Sequence, residues 1–342
     1  ILIRNYIEAT DADITLYSGA GKIVQENGEF GDTLTSEALI ADTLYVSAAT
    51  GIDMKFLSVD KLDATNRGDG NIVITELASG GNLEIINLLQ SSVTHGGNTT
   101  VSTTSGNVSI TTNGVDMLGS GELQINAKGA MSVDVSIVSD GGIINLDADD
   151  DISINAAITN AQTKGSGAIN ITSDASIVMQ DGISVATLGD VITLEAGENV
   201  ALSVVQSALG NGVVNITAAS VTNNLTSGAN IITNALVVAT MEGFGTSADA
   251  VVTQIDTLEL TNTLSGDIVL SQTQTLEILE VVQNAASGSV NITVNDAIAQ
   301  SGDITSKGGD IRITSTASTI TMDANALTSA VNGDIAYNAA GS

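Results

Sequence analysis

Leu123-Gln-Ile-Asn-Ala-Lys-Gly-Ala-Met-Ser-Val133 is followed by Ile144-Asn-Leu-Asp-Ala-Asp-Asp-Asp-Ile-Ser-Ile154, and the two segments are one phrase written twice. The phrase returns as Ile169-Asn-Ile-Thr-Ser-Asp-Ala-Ser-Ile-Val-Met179, as Ile192-Thr-Leu-Glu-Ala-Gly-Glu-Asn-Val-Ala-Leu202, and shortened as Val214-Asn-Ile-Thr-Ala-Ala-Ser-Val221. Its first apolar positions, 123, 144, 169, 192 and 214, are separated by 21, 25, 23 and 22 residues. Each copy reads apolar-polar-apolar, a small or polar corner, then apolar-polar-apolar, which is two short strands with period-two alternation. Self-similarity at this period is the signature of a stacked-repeat architecture.

The phrase spreads outward in both directions. Ile268-Val-Leu270, Val290-Asn-Ile292, Ile311-Arg-Ile313 and Ile335 open later copies, and Ile14-Thr-Leu16 and Ile72-Val-Ile74 open earlier ones with longer corners. A longer repeat lies over the short one. Val59-Asp-Lys-Leu-Asp-Ala-Thr-Asn-Arg-Gly-Asp-Gly-Asn-Ile-Val-Ile74 matches Ile255-Asp-Thr-Leu-Glu-Leu-Thr-Asn-Thr-Leu-Ser-Gly-Asp-Ile-Val-Leu270 without a gap, an offset of 255 − 59 = 196 residues. Asp60, Leu62, Thr65, Asn66, Gly70, Ile72 and Val73 are identical to their partners. The expected organisation is a single continuous solenoid over 1–342, with long repeats at 39–229 and, incomplete, at 230–342.

A rhythm of about 22 residues with two or three short strands per turn predicts an all-β fold, a parallel β-helix or β-solenoid. Stacked coils place Ile144 and Leu146 inside, on Ile169 and Ile171, and point Asn145 and Asn170 outward as a polar ladder. Dividing 342 residues by about 23 predicts roughly 15 coils. Hydrophobic residues make up 43% of the chain but aromatics only 2%, so a narrow interior of Ile, Val, Leu and Ala is expected. An antiparallel sandwich would account for short strands but not for in-register side-chain columns.

Charge and composition exclude several functions. Nine basic against 39 acidic residues give a net charge of −30, which repels phosphate backbones and anionic membranes, so neither is an expected partner. Cysteine is absent, which removes disulfides, thiolate catalysis and Cys-ligated zinc. No run of about 18 apolar residues predicts membrane insertion. The chain opens at Ile1-Leu-Ile-Arg4 and stops inside a recurring phrase at Ala339-Ala-Gly-Ser342, which reads as a piece of something longer.

Ser265-Gly-Asp-Ile-Val-Leu-Ser271, and Leu44-Tyr-Val-Ser-Ala-Ala-Thr-Gly-Ile52 leading into Leu62-Asp-Ala-Thr-Asn66, resemble bacterial filamentous-haemagglutinin-type exoproteins and the giant tandem-repeat cell-surface proteins related to them. The likeness runs over the whole chain and lies in its repeat pattern. It implies a right-handed parallel β-helix, secreted to the cell surface, serving as a stalk, filament or adhesin. Its partners would be itself or adjacent repeats, end to end, and surface glycans or other cells. The secretion domain of such proteins is not in this sequence.

A carbohydrate-active β-helix enzyme, a lyase or glycosidase, is the alternative. It would need a cleft of catalytic carboxylates or bases lined with aromatics. The nine basic residues are scattered, Trp is absent, and the only histidine, His95 in Thr94-His-Gly-Gly97, has no partner pattern around it. No catalytic residue and no required cofactor is therefore expected. The best candidate site is a calcium site at Asp149, Asp150 and Asp174, because clustered carboxylates on a corner can supply oxygen ligands. Column alignment sets Asp149 against Asp174, but it also sets Lys128 against Asp149, which favours solvated corner charges. Thr99-Thr-Val-Ser-Thr-Thr104 invites an ice-binding reading, which needs a flat threonine face in every coil and does not find one.

Overall fold

The phrase at Leu123 folds as three short strands, Leu123–Ala127, Met131–Val133 and Ile137–Ser139. The next copy repeats them as Ile144–Ala148, Ile152–Ile154 and Ile158–Asn160, parallel and in register, with Leu123 on Ile144, Met131 on Ile152 and Ile137 on Ile158. The computed structural model describes residues 1–4, 6–26, 39–77, 81–93, 96–161, 167–207 and 210–341, and every regular element among them is a β-strand. The chain is an all-β solenoid of parallel stacked coils with a spacing of about 22 residues. It has about 14 turns, one fewer than the sequence period predicts.

Contacts divide the chain into two compact units, Ile1–Asp174 and Ala175–Ser342. In the first unit the inward column Ile52, Ile72, Thr99, Leu123, Ile144, Ile169 advances by 20, 27, 24, 21 and 25 residues. In the second, Ile192, Val214, Leu236 and Leu258 advance by 22 each, and Ile268, Val290, Ile311 and Ile335 by 22, 21 and 24.

Alternation decides which side chains fill each coil. Leu123, Ile125 and Ala127 are buried while Gln124 and Asn126 are half-buried, and the same order holds at Ile169–Ser173 and Val290–Val294. Each fully buried Ile or Leu contributes on the order of 1.5–3 kcal/mol by leaving water. The outward ladder forms as expected, with Asn170 Nδ2 donating to Asn145 Oδ1 at 2.8 Å. The threonine stretch differs from the ice-binding pattern. Thr99 and Thr103 point inward and are buried, Thr99 lying between Ile72 and Leu123.

Strands of three to five residues hold for the central phrases but not throughout. Leu39–Ala48, Ile52–Asn66, Ile231–Thr240 and Val251–Asn262 are continuous strands of 10, 15, 10 and 12 residues. None contains glycine, so no sharp corner breaks them. Where two of these strands must still bend, the ladder slips instead, between Met54 and Leu57, between Leu62 and Asp63, and between Leu258 and Glu259.

Candidate functional site

The predicted acidic corner follows the Ala148 position. Ala127 pairs with Ala148 and Ala148 with Ser173, so Lys128, Asp149 and Asp174 stand at successive corners of one column. Lys128 Nζ donates to both carboxylate oxygens of Asp149, each at 3.0 Å, with the two side chains 56% and 43% exposed. The Asp149 carboxylate holds the Lys128 ammonium above its usual range, with lesser help from Asp147 and Asp174. Asp147 is pushed up, first by partial burial and then by Asp149 and Asp174. Asp150 is exposed, and its carbonyl accepts the Ser173 hydroxyl at 2.8 Å. Asp149, Asp150 and Asp174 therefore share one corner region without converging, and no group of three or more His, Asp or Glu among the described residues is arranged to hold a metal ion.

A second constellation escapes the sequence reading. At the opposite corner of the coil, polar side chains point inward and form a buried column. In the first unit the register runs Ala48, Asn66, Gln90, Met117, Ser139, Asn160. Asn66 Nδ2 donates to Gln90 Oε1 at 2.8 Å, to the Gly68 carbonyl at 2.7 Å, and to the Gly70 carbonyl. Gln90 Nε2 continues to the Gly70 and Gly97 carbonyls at 2.8 and 3.1 Å. The second unit repeats the arrangement in the order Thr240, Asn262, Gln283, Ser306. Asn262 Nδ2 reaches Gln283 Oε1 at 3.0 Å and the Ser265 carbonyl at 2.7 Å, and Gln283 Nε2 reaches the Gly266 carbonyl at 3.0 Å.

These amides answer a need created by glycine. At this corner Gly70, Gly97, Gly121 and Gly142 stack so closely that a Cβ on any of the last three would collide with the carbonyl of the glycine before it. Gly266, Gly288, Gly309 and Gly333 form the matching stack in the second unit. Corner carbonyls that face the interior need buried donors, and the Asn, Gln and Ser side chains supply them. One mismatch stands out. Asn262 Oδ1 accepts from Thr240 Oγ1 at 3.1 Å, whereas Ala48 occupies the Thr240 position in the first unit and Asn66 Oδ1 is buried without a partner.

The surface grooves are open and shallow. One of about 350 Å³ is lined by Lys22, Thr50, Asp53, Asn71 and Val73, and carries a carboxylate but no tyrosine. Another, lined by Ile1, Leu2, Arg4, Tyr6 and Leu16, carries a tyrosine but no carboxylate. His95 lies outside the described residues. No helix among the described residues is long and apolar enough to cross a membrane. No protein-family model, curated protein or solved structure matches the chain. The likeness to haemagglutinin-type exoproteins thus rests on the repeat phrases alone.

Proposed function

We propose that the chain is a non-enzymatic structural module of an extracellular, cell-surface filament, stalk or adhesin, whose working property is mechanical persistence. The observation that carries this reading is the way each unit uses its side chains. The inward positions are given to aliphatic columns and to buried amides that hold glycine corners, and the outward ones to short polar ladders. Among the described residues, neither set converges on a reacting group. Within each unit, a parallel ladder joining successive coils distributes load over many backbone hydrogen bonds, and the acidic surface limits lateral clumping.

Among the described residues, the first and last coils each leave one strand edge unpaired by another strand, Leu2–Ile3 pairing only with Ile23–Gln25 and Ile335–Ala339 only with Ile311–Ser315. Ile1, Leu2 and Tyr6 are exposed at one edge, and Met322, Leu327, Val331 and Ile335 at the other. Free parallel edges with apolar flanks favour head-to-tail stacking of copies or of adjacent repeats. Sedimentation across a concentration series, with electron microscopy of the same samples, tests this. The expected result is concentration-dependent association into rods that an Ile335→Asp substitution suppresses. A monodisperse monomer that shows no rods overturns it.

A further inference from the structure

One corner of the second unit departs from the rule that a coil touches only its immediate neighbours. Ile177–Met179 and Ser184–Thr187 are joined by four residues, 180–183. In the next coil Asn199–Leu202 and Val204–Ser207 are joined by Ser203 alone. In the coil after that, Ser220–Asn223 and Ile231–Thr240 are joined by seven residues, 224–230. The long corner crosses the short one and reaches the coil beyond it. Asn224 Nδ2 donates to the Met179 carbonyl at 2.6 Å, the Thr226 N–H to Asp181 Oδ1 at 2.9 Å, and the Thr226 hydroxyl to Asp181 Oδ2. The hydroxyl first, and then the N–H, hold the Asp181 carboxyl below its ordinary range. The base of the crossing segment is fixed on the other side, where Asn223 Nδ2 donates to Asp249 Oδ1 at 2.8 Å and Asn230 Oδ1 accepts the Val252 N–H at 2.9 Å.

The residue beneath the crossing shows its effect. In three earlier coils the residue that follows the corresponding strand, Asp134, Asn155 or Gln180, is exposed. Ser203 is fully buried. The Asn224 N–H donates to the Leu202 carbonyl at 2.7 Å, and Asn230 Nδ2 to the Leu202 and Ser203 carbonyls at 3.0 and 3.3 Å, so both ends of the long corner close on the short one. The Ser203 hydroxyl is left buried without a partner. Closure therefore costs that group its water and has to be held by other contacts. A carboxylate that accepts two hydrogen bonds from one residue supplies such a contact.

We propose that residues 224–230 are a strap that fastens two non-adjacent coils across the one between them, with Asp181 and Thr226 as its clasp, and that the clasp keeps the Ser203 corner shut. A coil held by its two neighbours alone can loosen locally, because stability in a stacked repeat is a sum of nearest-neighbour terms. The strap adds a term that skips a coil, so the middle coil opens at this corner only when the clasp is released. This goes beyond the structural reading above and holds whether or not the chain serves in a filament.

The test uses the absence of cysteine, since Ser203→Cys places a single thiol under the strap of the full chain. Its reaction with an aromatic disulfide reagent is expected to be slow, and about tenfold faster once Asp181→Ala or Thr226→Val opens the clasp. Thr226→Ser keeps the hydroxyl and should keep the thiol slow. Asp181→Ala and Thr226→Val together should accelerate no more than either alone, because both break the same contact. Hydrogen exchange at the Val204 amide, which donates to the Ile183 carbonyl at 3.0 Å, reads the same opening with Ser203 in place and serves if Ser203→Cys does not fold. Amides of Val290–Val294, in a coil the strap does not reach, should exchange at unchanged rates. Equal rates with and without the clasp, additive effects of the two variants, or equal acceleration at Val290–Val294 overturn the proposal.

Discussion

Ala48 is fully buried and pairs with Asn66, and the Asn66 side-chain carbonyl has no donor. In the second unit Thr240 stands in the same register position over Asn262 and donates to it at 3.1 Å. Replacing Ala48 with serine adds one oxygen and a rotatable O–H at the place from which the Thr240 hydroxyl acts. An unsatisfied buried acceptor costs about 1–3 kcal/mol, and a new buried hydrogen bond nets about 1 kcal/mol after the hydroxyl's own desolvation. Ala48→Ser is therefore expected to stabilise the chain by about 1 kcal/mol in urea unfolding followed by circular dichroism. The decisive comparison is a double-mutant cycle with Asn66→Ala. In that background the serine has no acceptor, and Ala48→Ser should be destabilising, so the two sites should couple by at least about 1 kcal/mol. Additive effects would refute the hydrogen-bond account, and so would a loss of stability from Ala48→Ser in the wild-type background.

Four further outcomes follow from the same geometry. Thr99 Oγ1 is also buried without a partner in an otherwise aliphatic column, so the near-isosteric Thr99→Val should raise the unfolding free energy by about 1 kcal/mol. Gly142→Ala drives a Cβ into the Gly121 carbonyl, and a loss of roughly 3 kcal/mol or more is expected in the same assay, where a neutral result would contradict the close stacking. Asp116 is pushed above its usual carboxylate range by burial and, less, by Asp140. Its contribution is full below the ordinary aspartate range and falls as pH rises through its raised value, so Asp116→Asn should gain melting temperature on wild type as pH increases. Lys128 already engages Asp149, so millimolar calcium or a chelator should leave the wild-type midpoint unchanged. Lys128→Met should make that midpoint calcium-responsive, and a calcium-dependent wild-type midpoint would restore the carboxylate site.

Most of the fold was legible because backbone periodicity and side-chain chemistry agree along the central phrases. Leu123, Ile144 and Ile169 are aliphatic, fall at the same place in the phrase, and stack. The facing of Lys128 and Asp149 also followed from column alignment. The buried polar column was missed because polarity was taken to mean outward. The signal was phase. Gln90 continues the row of Leu88, and Ser139 continues that of Ile137, so alternation points both inward whatever their polarity. Asn66 and Gly70 were visible as identities between the long repeats. Sequence could not show that one donates to the carbonyl of the other, since that depends on glycines of successive coils meeting at one corner. The long strands were missed for a related reason, since corners were expected at every interval and a glycine-free stretch bends by slipping its ladder.

The unequal coil lengths of the first unit have a practical meaning. Between Ile52 and Ile169 the chain spends anything from 20 to 27 residues on a coil, yet the inward column arrives in register each time. Register is thus fixed by the strands, and the surplus is taken up where the chain turns, at an entropic cost that rises only slowly with loop length. Such a scaffold can accept foreign peptide at its bends and display it at coil spacing, so new surface chemistry can be acquired without renegotiating the core.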